Sequence, residues 1–222
     1  MSKRWRNIIF ALCFLLLLFL IWFDHGPLKR TFERRPKSEE QAKTYDLKKY
    51  DKKIFAVVKV VDGDTIDIDI PDGKFNCTRI RLWGVDTPET KSQELGVMYF
   101  GPQAAKLTAK LTLGKQVAVY LEEHRTRGYY GRLLAYVQLP DGRFLNEVLV
   151  AEGFAYADLR FRHSYYNKYK QLEAAARKQK KGLWQNVTRD QLPRWLQMKN
   201  PDLLLRIHTR INKRINLTCL LT

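Results

Sequence analysis

Residues Thr65-Ile66-Asp67-Ile68-Asp69-Ile70 alternate polar and apolar without a break. A period of two puts every isoleucine on one face of a strand and is incompatible with a helix. Turn signals bracket the run, Asp62-Gly63 before it and Pro71-Asp72-Gly73 after it. Residues 54–61, rich in Val and Ile, precede it, and residues 75–85 follow. Three strands joined by turns this short form a meander. A helix is expected next, with Pro102 near its first position and Ala104, Ala105, Leu107 and Leu111 at helical spacing before Gly114. Two further strands are predicted over 116–122 and 133–139. Asp141-Gly142 then turns the chain into a helical stretch over about 146–152, and a third helix is predicted over about 164–180, ending at Gly182. The order βββ-α-ββ-α-α fits an α+β domain built on a five-stranded OB-type β-barrel with about three helices. Barrels of that type commonly bind oligonucleotides on one face.

The flanks differ in character. Lys3, Arg4 and Arg6 precede an unbroken apolar run from Ile8 to Phe23. Such a run reads as one N-terminal transmembrane or signal-anchor helix over 1–24, a little short of the ~20 residues of a typical span. No small-x-small cleavage site follows it, which favours an uncleaved anchor over a removed signal. Basic residues lie on both sides of the run, so the positive-inside rule does not fix its orientation. Residues 25–53 are polar and charged and read as a linker, 54–186 as the barrel domain, and 187–222 as a basic tail. In that tail Leu204, Ile207, Ile211 and Ile215 mark an apolar stripe among arginines and lysines. A helix there fits an anionic membrane, a partner, or packing on the barrel.

Forty Lys and Arg against 23 acids give a formal charge of +17, which favours polyanions. The three cysteines form no CxxC or Cys/His cluster, so neither a zinc site nor a disulfide framework is indicated.

Three segments carry candidate chemistry: Val61-Asp62-Gly63-Asp64-Thr65, then Arg79 to Glu89 ending in Asp86-Thr87-Pro88-Glu89, then Arg125 to Arg132 with Gly128 and Gly131. Each alone reads as an ordinary turn or strand end. Together they supply the parts of a phosphoryl-transfer site. Asp64 and Asp86 suit one hard cation through oxygen. The planar forks of Arg81 and Arg132 suit a phosphodiester and its growing charge. Glu89 suits proton removal from an attacking water.

These segments, in this order and spacing, resemble the staphylococcal nuclease (thermonuclease) family over roughly residues 54–184, including the close Gly182-Leu183-Trp184. The resemblance implies an OB barrel with helices and calcium-dependent hydrolysis of DNA and RNA with broad sequence tolerance. Carried over by motif, Asp64 and Asp86 resemble the metal carboxylates, and Thr87 the residue offering its backbone carbonyl to Ca2+. Arg81 and Arg132 resemble the phosphate arginines, and Glu89 the general base. Tyr130 resembles a tyrosine of the nucleotide pocket, and Asp62 an acid near the metal. One departure stands out. An ungapped match places Leu159 and Phe161 where the founding enzyme has two pocket tyrosines. Phe161 still offers a stacking face but no hydroxyl, and Tyr156, Tyr165 and Tyr166 are possible substitutes.

The expected partners are thus a nucleic-acid substrate and a membrane. The catalytic domain is expected on the extracytoplasmic side, where calcium concentrations suit a weak oxygen site; the other reading is secretion after signal cleavage. A non-catalytic OB-fold nucleic-acid-binding module and a membrane-surface interaction protein are the competing functions.

Overall fold

The computed structural model describes Trp5, residues 38–90 and residues 96–199. The strands are β1 (Lys53–Asp62), β2 (Thr65–Ile68), β3 (Thr78–Leu82), β4 (Val85–Asp86), β5 (Gln116–Tyr120), β6 (Leu133–Gln138) and β7 (Tyr156–Ala157). Five of them close into a barrel in the order β1-β2-β3-β6-β5, and β4 pairs with β7 apart from it. The barrel pairs are antiparallel except β3 with β6, where Ile80 lies opposite Leu133 in a parallel ladder.

Five α-helices occur among the described residues, more than the three expected: α1 (Glu39–Tyr50), α2 (Gly101–Thr112), α3 (Leu145–Ala151), α4 (Tyr166–Lys178) and α5 (Arg194–Lys199). Two 3-10 turns, Gly182–Gln185 and Arg189–Gln191, separate α4 from α5. The apolar run 8–23, the first part of the linker and the stripe beyond Asn200 lie outside the described residues. Among the described residues no helix is long and apolar enough to cross a membrane.

Inward-facing aliphatics fill the barrel. Val57, Ile66, Ile68, Ile80, Leu82, Val117, Val119, Leu133 and Val137 are each no more than 1% exposed, and α3 adds Leu145 and Leu149. Burying each such side chain contributes roughly 1.5–3 kcal/mol. The alternation in β2 places its isoleucines inside as expected. Asp67 on the other face is buried too, because Arg79 on the neighbouring strand covers it, with Nε at 2.7 Å from Oδ1 and Nη2 at 2.9 Å from Oδ2.

The third strand is shorter than expected. β3 stops at Leu82, and Trp83-Gly84 makes a turn in which Gly84 takes φ +73°. That conformation favours glycine. A Cβ there would also strike the His163 ring. The turn is pinned by Asn146 of α3, which is fully buried. Its Nδ2 donates to the Trp83 carbonyl at 3.0 Å, and its Oδ1 accepts from the Val137 amide at 3.0 Å. The chain re-emerges as β4, with Asp86 opposite Tyr156 of β7. The break takes Asp86 out of the barrel sheet and into the separate β4–β7 pair.

Helix α1 falls in the stretch that composition assigns to the linker. Ser38 caps it, its hydroxyl accepting from the Gln41 amide, with Glu39 and Glu40 in the first turn and Lys48 and Lys49 in the last. These charges complement the helix dipole. The helix buries Asp46 and Tyr50. Tyr50 is fully buried in the main core, its hydroxyl 3.1 Å from Thr78 Oγ1. At the other end, Val187, Leu192 and Leu196 are buried with Tyr156, Ala176, Leu183 and Trp184 in a second apolar cluster. The packed unit therefore extends past residues 54–186 in both directions.

Candidate active site

The β1–β2 turn brings Asp64 to one end of the barrel. Gly63 fits there because nothing larger does: a Cβ would lie 2.8 Å from the Thr87 side chain and 2.9 Å from Ala104 Cβ. The Gly63 carbonyl accepts from Thr108 Oγ1 of α2 at 2.6 Å. Asp64 is 5% exposed. Its Oδ2 accepts from the Thr87 amide at 2.7 Å and from Thr87 Oγ1 at 2.9 Å, while Oδ1 accepts from Thr65 Oγ1 at 3.0 Å.

Arg81, on the adjacent strand β3, ion-pairs with both Asp64 and Asp86; its Nη2 lies 2.6 Å from Asp86 Oδ1. Burial opposes the charge on Arg81, but these two carboxylates hold its pKa above the usual value. For Asp86, burial pushes the pKa up, Arg81 pulls it down and Asp64 pushes it up again, with a net rise. Glu89 stands exposed at the mouth of the same cleft. Desolvation of its carboxyl, a hydrogen bond shared with Asp62 and the charges of Asp64, Asp62 and Asp86 raise it to about 7. Asp62 Oδ2 also accepts from the Thr90 amide at 3.3 Å.

These groups line a cleft of about 560 Å³. A second hollow of about 200 Å³ adjoins it, and Arg81, Arg132 and Arg160 stand in the walls of both. Arg132 is half-buried. Desolvation and the charge of Arg81 lower its pKa, against the pull of Asp64 and Glu89. The smaller hollow is aromatic. Phe161 stacks on Trp83 with ring centroids 6.4 Å apart, and the Arg125 guanidinium lies 5.4 Å from the Phe161 ring. Tyr130, 78% exposed, lies under Arg132 at 5.6 Å.

Asp62, Asp64, Arg81, Asp86, Thr87, Glu89, Tyr130, Arg132 and Phe161, singled out from the sequence, thus line these two adjoining hollows. Of the three tyrosines named as substitutes, Tyr156 lines the larger cleft while packing against Trp184. The other two go elsewhere: Tyr165 packs on Tyr136, and Tyr166 lies beside His163 and under Arg162. Leu159 packs against the main core. Among the lining residues that sequence reasoning did not single out are Trp83, Arg160 and Trp195. Trp83 sits inside the second motif and was legible as an aromatic beside Arg81. Arg160 and Trp195 carry no local signal.

The donor set is all oxygen. The buried Asp64 and the partly buried Asp86 flank the larger cleft, with the Thr87 backbone beside them. This chemistry fits a hard cation such as calcium or magnesium and not a soft metal. Among the described residues no three His, Cys, Asp or Glu side chains converge as a metal cage. Asp64, Asp86 and the Thr87 carbonyl are the groups that could hold such a cation.

The family model for staphylococcal nuclease homologues matches residues 79–186. A thermonuclease of Staphylococcus hyicus is 36% identical over 146 residues, covering 65% of this chain and 83% of that protein. An uncharacterized endonuclease of Escherichia coli O157:H7 is 35% identical over 144 residues, 63% of this chain and 81% of that one. A thermonuclease of Staphylococcus intermedius is 31% identical over 179 residues, 80% and 95% of the two chains. With the barrel, the clustered motifs and relatives covered over most of their length, the chain belongs to the staphylococcal nuclease family.

Proposed function

We propose that the protein is a calcium-dependent nuclease that hydrolyses phosphodiester bonds of DNA, RNA or both with little sequence preference. The observation that carries this reading is the convergence of Asp64, Asp86, Glu89, Arg81 and Arg132 on one cleft. In this reading Asp64, Asp86 and the Thr87 carbonyl hold the cation. Calcium, when bound, supplies positive charge to a phosphate oxygen and a ligand position for water. Glu89 takes the proton of the attacking water as its oxygen bonds to phosphorus. The phosphorus–oxygen bond to the leaving strand then breaks, and that oxygen takes up a proton from solvent water. Arg81 and Arg132 face the charge that grows on the phosphoryl oxygens. Phe161, backed by the buried Trp83, and Tyr130 offer exposed π-faces to a base, which is a sequence-tolerant form of recognition.

The acids argue for catalysis over binding alone. Asp64, Asp86 and Glu89 repel a phosphate unless a cation stands between, so a binding module would be better off without them. Single-stranded DNA incubated with the full chain in mild detergent is expected to be cut with calcium and spared with a chelator. Glu89→Gln is expected to lower turnover by about a hundredfold or more. Metal-independent DNA binding without cutting would instead support the binding module.

We also place the catalytic domain outside a membrane, held by the apolar run 8–23. The expected result is that the protein sediments with membranes at high salt and that protease added to intact cells removes the domain. Release by salt alone, or protection from the protease, would overturn that placement.

A further inference from the structure

The chain beyond the family-matched residues 79–186 returns to the cleft. Pro193, Arg194 and Trp195 form part of the same wall as Asp64, Asp86 and Glu89. They are not draped there loosely. Leu192 and Leu196 are 3% and 4% exposed in the second apolar cluster, on either side of Trp195. Gln197 Nε2 donates to the Leu192 carbonyl, and Lys199 Nζ donates to the Leu159 carbonyl, each at 2.7 Å. The indole that this anchoring presents donates from Nε1 to Asp86 Oδ2 at 2.8 Å.

We infer that Trp195 is a positioning residue for Asp86, fixing the carboxylate that the proposed cation needs. Asp86 is held from two sides, Arg81 Nη2 on Oδ1 and Trp195 Nε1 on Oδ2, which fixes the plane of the carboxylate. The two donors differ in kind. Arg81 brings a full positive charge that competes with a cation. An indole N–H is neutral and donates only, so it orients the oxygen, leaves its negative charge in place and leaves a lone pair for a metal. Hydrogen bonds of this kind to ligating carboxylates raise metal affinity by setting orientation in advance.

Trp195 also governs a competitor. The Arg160 guanidinium lies 4.7 Å over the Trp195 ring and 3.7 Å from Asp86 Oδ2. Its fork is occupied by Asp158, with Nε and Nη2 each 2.8 Å from a carboxylate oxygen. The indole plane supports Arg160 by cation–π attraction, and its N–H lies closer to Asp86 Oδ2, at 2.8 Å, than the Arg160 guanidinium does at 3.7 Å.

This inference rests on the calcium reading above, and calorimetry separates the two. Calcium chloride is titrated into the full chain and into Trp195→Phe, which keeps a ring and loses the donor. Wild type is expected to bind calcium, and Trp195→Phe to bind it about tenfold more weakly, with kcat reduced at saturating calcium and KM for DNA little changed. Equal calcium affinity in the two proteins overturns the positioning role and leaves a purely structural residue. Faster cleavage by the variant overturns it in favour of an obstructing segment. No calcium binding by wild type overturns the calcium reading itself, and this inference with it. A second measurement does not depend on the variant folding. In wild type labelled with 15N-tryptophan, an indole N–H signal must shift as calcium is added, and a spectrum unchanged by calcium overturns the proposal.

Discussion

Arg132→Ala is expected to lower kcat by about 10²- to 10³-fold, the range for losing one transition-state donor, while the melting temperature stays within a degree or two of wild type. Arg132 is half-buried, with its guanidinium 5.6 Å from the Tyr130 ring centroid. Its removal strips charge from the wall of the cleft without opening a buried ion pair. Arg81→Ala is expected to behave differently although its loss of activity is similar. Arg81 stands between Asp64 and Asp86, whose side chains are 7% and 14% exposed. Taking it away leaves two buried carboxylates facing each other. Breaking a buried pair from one side costs about 3–5 kcal/mol. For a domain of this size that is roughly 6–20 °C in Tm. Kinetics and thermal melting on the two variants therefore separate a charge held for the substrate from one that also holds the site together. Near-full activity in Arg132→Ala, with a normal melting curve, would remove that arginine from the mechanism.

The contrast also marks how far the sequence could be read. The barrel was legible because its strands obey a simple period and its turns carry Asp-Gly and Pro-Asp-Gly. The site was legible because the nuclease motifs lie where strands end, so short stretches such as Asp62-Gly63-Asp64 and Asp86-Thr87-Pro88-Glu89 bring their acids together. Helix α1 was not legible for a physical reason. It has no apolar stripe, and the two side chains it buries are Tyr50 and an aspartate. Its attachment is polar and reaches far along the chain, with Asp46 contacting Thr126 and Arg127. Strand β4 was hidden by Trp83-Gly84, a break that a run of otherwise extended residues conceals. Trp195 meets Asp86 across 109 positions, and no local pattern encodes such a contact. Phe161 shows the opposite case. By position it stands for a lost tyrosine, yet Trp83 of the second motif, 78 positions earlier, stacks on it and makes the wall aromatic.

The polar attachment of α1 leads to the second large effect. Arg127 donates from Nε and Nη2 to Asp46 at 2.8 and 2.7 Å, and from Nη1 to Asp72 at 2.6 Å. Burial opposes its charge, but the two aspartates hold its pKa well above the ordinary value. Asp46 is 2% exposed, and in Arg127→Ala it would keep a neutral hydrogen bond from Thr126 Oγ1 and lose its counter-charge. The expected cost is again about 3–5 kcal/mol, the penalty of an uncompensated buried carboxylate, or roughly 6–20 °C in melting temperature. Asp46→Asn keeps an acceptor, removes the charge, and is expected to cost less than half as much. The network also touches the chemistry. Arg127 Nη1 donates to the Gly131 carbonyl at 2.9 Å, and the Gly128 amide to the Arg132 carbonyl at 2.9 Å. The loop that carries Tyr130 and Arg132 is thus tied through Arg127 to the helix before the barrel. Arg127→Ala assayed well below its melting point should accordingly lose several-fold in kcat, far less than Arg132→Ala, because the arginine that faces the cleft is still present but less firmly held. An unchanged melting curve in Arg127→Ala would mean that α1 is held by Tyr50 and the core alone. Unchanged turnover with a lowered Tm would confine the network to stability and leave the Arg132 loop to position itself.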